Sequence, residues 1–130
     1  MERLYNGGCD YRTMSPLNLA FVGDGVYDLF VREWLACSGN YPVGKLHRLK
    51  VEKVCCKAQA EFMDALMPKL TEEELAIFKR GRNAHTCHTP KNATSEAYHT
   101  ATGLEALIGY IYLKGDITRV REILGLIEKT

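Results

Sequence analysis

No apolar run in the sequence approaches the ~18 residues of a membrane-spanning helix, and the first residues lack the basic stretch and apolar core of a secretory signal. Membrane spanning and secretion are therefore disfavoured, and a cytoplasmic protein is expected. Neither sign of charge dominates, since 17 Lys and Arg face 16 Asp and Glu for a formal charge of +1. Any affinity for nucleic acid must then come from local clustering. The five cysteines, Cys9, Cys37, Cys55, Cys56 and Cys87, are odd in number and irregular in spacing, and two of them are adjacent. That argues against a disulfide scaffold and for a reducing compartment. Paired C-x-x-C or H-x-x-x-H spacing is absent, so His85, Cys87 and His88 would need a distant Cys55, Cys56 or His99 to complete a tetrahedral zinc site. Alternating strand patterns, internal repeats and low-complexity tracts are also missing.

What is present fits one domain over residues 1–130, with 46% apolar and 25% charged residues. A chain of this length buries about two-thirds of its unfolded surface and needs no metal or disulfide merely to fold. Residues 1–14 form an irregular lead-in that ends at Ser15-Pro16, a helix start in which Pro gives up an amide without an intrahelical partner. Leu17, Ala20, Phe21, Val26, Leu29, Phe30 and Trp34 recur at helical spacing and predict an inward stripe on a helix from about Pro16 to Cys37. Leu19, Val22, Val31 and Leu35 make that helix apolar nearly all round, which marks it as the expected central helix.

A second helix is expected from about Val43 to Leu66, with Leu46, Leu49, Val54, Phe62 and Leu66 inward and Lys50, Lys53 and Lys57 outward. Thr71 and Glu74 have the spacing of a capping box and start a short helix to about Lys79. Arg80 to Ser95 read as a loop, and helical period returns over Glu96–Leu113 and again over Asp116–Glu128. The expected fold is an all-α bundle of five or six helices.

Two acids stand out. Asp24 lies within the first helix between Gly23 and Gly25, whose combined helix penalty is roughly 2 kcal/mol against alanine. Either the open backbone admits a metal or phosphate beside the carboxylate, or the glycines permit close helix packing and Asp24 bonds to a neighbouring helix. Glu105 sits in an otherwise apolar stretch, and a buried acid needs a cation, several donors or a basic partner. If the two acids meet, they form an oxygen-rich site of the kind that takes Mg²⁺. Asp28, one turn after Asp24, is either a polar neighbour acting on that site or an ordinary surface acid.

The strongest charge cluster is Lys79-Arg80-Gly81-Arg82-Asn83 through Thr89-Pro90-Lys91-Asn92, with four fixed positive charges and no acid. Lys79, Arg80, Arg82, Asn83, Thr89, Lys91 and Asn92 are suitable contacts for the phosphates and sugars of a nucleic-acid backbone. A solvated charged face is the plainer alternative. Lys50, Lys53 and Lys57 are weaker candidates, because Glu61 and Asp64 continue their stripe.

Leu19-Ala20-Phe21-Val22-Gly23-Asp24-Gly25-Val26-Tyr27-Asp28-Leu29 resembles the signature helix of the ribonuclease III endonuclease domain, and Glu105-Ala106-Leu107-Ile108-Gly109-Tyr110-Ile111-Tyr112-Leu113 resembles that family's late motif. The resemblance covers nearly the whole chain, and no double-stranded-RNA-binding domain is expected, as in the short bacterial members. It implies the ribonuclease III helical bundle, with Asp24 and Glu105 as catalytic, Mg²⁺-binding carboxylates of an endoribonuclease leaving 5′-phosphate ends. It also implies a homodimer acting on double-stranded RNA, with the 23S ribosomal RNA precursor as substrate and a ribosomal protein as possible helper. Full-length members carry two further acids where this chain has Ala20 and Thr102, a departure the chain has in common with the short members. The competing expectation is a non-catalytic RNA-binding module on the same fold, which would not need Asp24 and Glu105 together.

Overall fold

The computed structural model describes residues 3–84 and 94–129, and among these the chain is helical with no strand. Six α-helices follow in order: α1 (Pro16–Ser38), α2 (Val43–Val54), α3 (Cys56–Leu66), α4 (Glu72–Arg82), α5 (Ser95–Leu113) and α6 (Ile117–Gly125). Single 3-10 segments, Met67–Lys69 and Leu126–Lys129, follow α3 and α6.

Side chains written into the sequence set most of the starts. The Ser15 hydroxyl accepts from the Asn18 amide at 3.2 Å with Pro16 at the first helical position. At α4 the Thr71 hydroxyl accepts from the Glu74 amide at 3.1 Å while the Glu74 carboxylate accepts from the Thr71 amide at 3.0 Å, the expected reciprocal box. Thr94 and Asp116 cap α5 and α6 in the same manner, from Ala97 and Arg119. Glu74 does more than cap. Its two carboxylate oxygens accept from the Arg119 guanidinium at 2.7 Å each, which ties α4 to α6, and this bond holds the carboxyl below its usual range.

The helix expected over Val43–Leu66 is broken in two at Cys55, which is extended (φ −67°, ψ 157°). No proline or glycine marks the break; it is held by a side chain, for Gln59 Nε2 donates to the Val54 carbonyl at 2.9 Å and supplies a donor that the ended helix lacks. Helix α4 runs on to Arg82, so Arg80, Gly81 and Arg82 belong to a helix rather than to the expected loop.

The centre of the bundle is α5, not α1. Ala101–Leu104 and Ala106–Ile111 are all buried, and α5 packs against α1, α3 and α4. Its glycines set those distances. A Cβ on Gly109 would fall on the Leu19 carbonyl oxygen, and one on Gly23 would fall on the Glu105 carbonyl oxygen, so α1 and α5 meet backbone to backbone. Gly81 and Gly103 do the same for α4, where a Cβ on Gly103 would stand 2.7 Å from the Phe78 carbonyl oxygen. Meanwhile α1 buries Leu19, Ala20, Gly23, Tyr27, Val31 and Leu35, and it turns Leu17, Phe21 and Leu29 of the expected inward stripe to the surface. The helix is apolar all round because it carries a second apolar face, and no described part of the chain covers that face.

Candidate active site

The close crossing of α1 and α5 decides where the two acids stand. Gly23 lies against the Glu105 backbone, and the next residue, Asp24, is thereby brought alongside the Glu105 side chain, near enough for a carboxyl–carboxylate hydrogen bond. The close-packing reading holds at Gly23, and that packing is the means by which the Asp24 carboxylate is placed against a neighbouring helix. Gly25 takes no part in it, having nothing within 4 Å of a Cβ built there.

Asp24 is exposed, whereas Glu105 is half-buried. Burial, with the Asp24 carboxylate as the next cause, pushes the Glu105 carboxyl up to about 8. Two carboxylates this close repel when both are ionised, and a cation between them would relieve the repulsion. The donor set therefore fits a hard divalent ion.

Two residues that sequence reasoning did not single out complete the surroundings. The Gln59 amide donates to Glu105 Oε2 at 3.3 Å from the core face of α3. Tyr27, one turn after Asp24, is buried with its hydroxyl donating to the Lys53 carbonyl at 3.4 Å, and burial followed by the Glu105 charge raises its phenol. Gln59 was detectable as the one polar residue on the stripe Gln59, Phe62, Met63, Leu66.

The positions of the two missing acids are accounted for without charge. Ala20 is in the core, and the buried Thr102 hydroxyl donates to the Tyr98 carbonyl of its own helix at 3.0 Å. Asp28 is engaged elsewhere, with Arg32 at 2.6 Å and Lys50 at 3.3 Å; although burial pushes its carboxyl up, these bonds bring it below its usual range. Lys50 is consequently tied to α1, and Lys53 lies over the Trp34 ring.

Lys79, Arg80, Arg82 and Asn83 cluster at the C-terminal end of α4, where Gly81 packs on Thr102, Gly103 and Ala106 of α5. That contact sets the basic end of α4 level with Glu105 along α5. Lys79, Arg80 and Asn83 are exposed; Arg82 is half-buried, its guanidinium over the Phe78 ring and its Nε donating to Asn83. Thr89, Lys91 and Asn92, like His85, Cys87 and His88, lie outside the described residues. His99 is half-buried among Arg82, Asn83 and Glu96 and makes a contact with the Ser95 hydroxyl.

One pH effect follows for the metal-free protein. In the folded chain Glu105 holds its proton to about pH 8, whereas in the unfolded chain it ionises near 4.5. Its contribution to stability is full below pH 4.5 and is lost as the pH rises toward 8, with a slope of at most about 1.4 kcal/mol per pH unit for one proton. Thermal midpoints in EDTA should therefore fall between pH 5 and 8 more steeply for the wild type than for Glu105→Gln, and parallel curves would refute this coupling.

The Ribonuclease III domain model matches residues 17–116. A Mini-ribonuclease 3 of Thermoanaerobacter sp. (strain X514) is 46% identical over 114 residues, covering 88% of this chain and 80% of that protein. The Mini-ribonuclease 3 of Enterococcus faecalis (strain ATCC 700802 / V583) is 40% identical over 118 residues, 89% of each chain. A crystal structure of a Fusobacterium nucleatum protein superposes with a TM-score of 0.83 at 32% identity, covering 94% of this chain and 98% of that one. The matched span runs from the first turn of α1 to the cap of α6, across both helices that carry the acids, and the chain belongs to the ribonuclease III family as an endoribonuclease.

Proposed function

We propose that the chain is a Mg²⁺-dependent endoribonuclease for double-stranded RNA, with Asp24 and Glu105 as its catalytic, metal-holding carboxylates. The convergence of these two acids across the α1–α5 crossing carries this reading. When bound, the ion lowers the pKa of a bound water and stabilises charge on the leaving oxygen. The protein's own share is placement. Asp24 stands at the surface where a phosphate can approach, and Glu105 is held behind it by the Gln59 amide. Lys79, Arg80, Arg82 and Asn83, with Thr89, Lys91 and Asn92, take the flanking phosphates and 2′-hydroxyls. Water adds to phosphorus as the bond to the 3′ oxygen breaks, leaving 5′-phosphate and 3′-hydroxyl ends. Likeness to the short members of the family extends the reading to the 23S ribosomal RNA precursor in the cytoplasm, with a ribosomal protein as helper. A labelled RNA duplex should be cut with Mg²⁺ and left intact with EDTA; equal cutting in both would sink the metal-dependent reading.

The same reading makes the active form a homodimer. Phe21 is 84% exposed and Leu29 55%, beside an apolar groove of about 390 Å³ that Val22, Val26, Phe30, Tyr112 and Leu124 help to line. An isologous contact lets each copy supply such a residue and receive its partner's, and two-fold symmetry sets two sites on one duplex. Phe21→Asp should convert the dimer to a folded monomer in sedimentation at micromolar concentration. An unchanged dimer would place the interface elsewhere.

A further inference from the structure

Gln59 is only 3% exposed, and its amide orientation is dictated by its neighbours. Nε2 points at two acceptors, the Val54 carbonyl at 2.9 Å and Glu105 Oε2 at 3.3 Å, so the nitrogen cannot be exchanged with the oxygen without setting acceptor against acceptor. The other end of the amide, Oε1, is buried without a partner among the described residues. An apolar residue of similar shape would remove that orphan, on a stripe that is otherwise Phe62, Met63 and Leu66, but would give up the bonds to Val54 and Glu105. The amide thus closes the end of α2 and at the same time fixes one carboxylate oxygen of the pair.

We propose that Gln59 is a positioning residue of the metal site: from α3 it holds the Glu105 carboxylate in the orientation in which, together with Asp24, it receives a divalent cation. This rests on the reading of Asp24 and Glu105 as the metal-holding pair. It adds a third helix to the site and gives a function to the break at Cys55, because the same Nε2 that orients Glu105 also closes the end of α2. Partners that orient ligands in this way typically affect metal affinity roughly 10- to 100-fold when removed.

The test is Mn²⁺ binding to the full chain, read as loss of the free-ion electron paramagnetic resonance signal, for the wild type, Gln59→Met, Glu105→Ala and the double variant. Gln59→Met should bind Mn²⁺ at least ~10-fold more weakly, keep its affinity for duplex RNA in EDTA, and recover cleavage as Mg²⁺ is raised. In the Glu105→Ala background it should cause no further loss, since no carboxylate is left to orient. Unchanged Mn²⁺ affinity, or the same loss in both backgrounds, would overturn the proposal. If Gln59→Met fails to fold, Gln59→Asn decides: its amide is one methylene too short to reach Glu105 Oε2, so Mn²⁺ should bind more weakly than to the wild type, and an unchanged affinity would overturn the role. Wild-type chain that binds no Mn²⁺, or whose binding survives loss of both acids, would overturn the metal-site reading itself, and the role of Gln59 with it.

Discussion

Asp24→Asn is expected to abolish cleavage of duplex RNA, by roughly 10³-fold or more, because a metal ligand contributes several kcal/mol at the transition state and each 1.36 kcal/mol is tenfold in rate. The substitution keeps the shape of the side chain and removes its charge at an exposed position, so folding and duplex binding should persist. Stability gives an independent check. In the wild type the Asp24 carboxylate is one cause of the raised Glu105 pKa, and its removal lets Glu105 ionise with less opposition. In EDTA at pH 8 the variant should therefore melt no lower than the wild type. Loss of cleavage with a lower midpoint and weaker duplex binding would instead mean that Asp24 is structural. Wild-type binding without cutting, on generic duplex and precursor ribosomal RNA alike, would mean that Ala20 and Thr102 mark a site that has lost its chemistry.

Gly109→Ala should produce the largest loss of stability of any single methyl addition on α5. Its Cβ falls on the Leu19 carbonyl oxygen, a backbone atom that no change of rotamer can move aside. Helices α1 and α5 would have to separate along the most extensive contact in the fold. A destabilisation of about 4 kcal/mol or more is expected, in the range reached only by overpacking or comparable disruption. Gly44→Ala is the control: its Cβ meets only the end of the Arg48 side chain, 3.9 Å away, and a gain of up to about 1 kcal/mol from helix propensity is expected. Urea titrations of the two variants should diverge in opposite directions from the wild type, and a Gly109→Ala midpoint near that of the wild type would refute the backbone contact.

Local chemistry made several elements legible. Ser15-Pro16 and the Thr71–Glu74 box begin helices where the sequence says they should, because a cap is satisfied within three residues and needs no tertiary partner. The pair Asp24 and Glu105 was legible as two acids out of place in apolar helices. The break at Cys55 was not, since its cause is a side chain of the following helix. Nor was the orientation of α1: Leu17, Phe21 and Leu29 have the periodicity of a core stripe, and periodicity cannot tell a buried face from one left open. Gly23 and Gly25 look alike in sequence, and only the approach of α5 separates the one that must be glycine from the one that need not be. Gly81 read as a loop signal for a similar reason, while it is in fact the contact that seats α4 on α5.

The α1–α5 crossing also bears on when the protein becomes an enzyme. Asp24 and Glu105 belong to helices separated in sequence by α2, α3 and α4, and nothing closer in the chain brings them together. Closing so long a loop is entropically unfavourable until the backbone contact at Gly23 and Gly109 forms, and such non-local contacts are slow to nucleate. A growing chain that has α1 to α4 but not yet α5 lacks both the core and the second carboxylate. If the two acids act as proposed, competence for cleavage therefore arrives in the same step as the docking of α5 on α1.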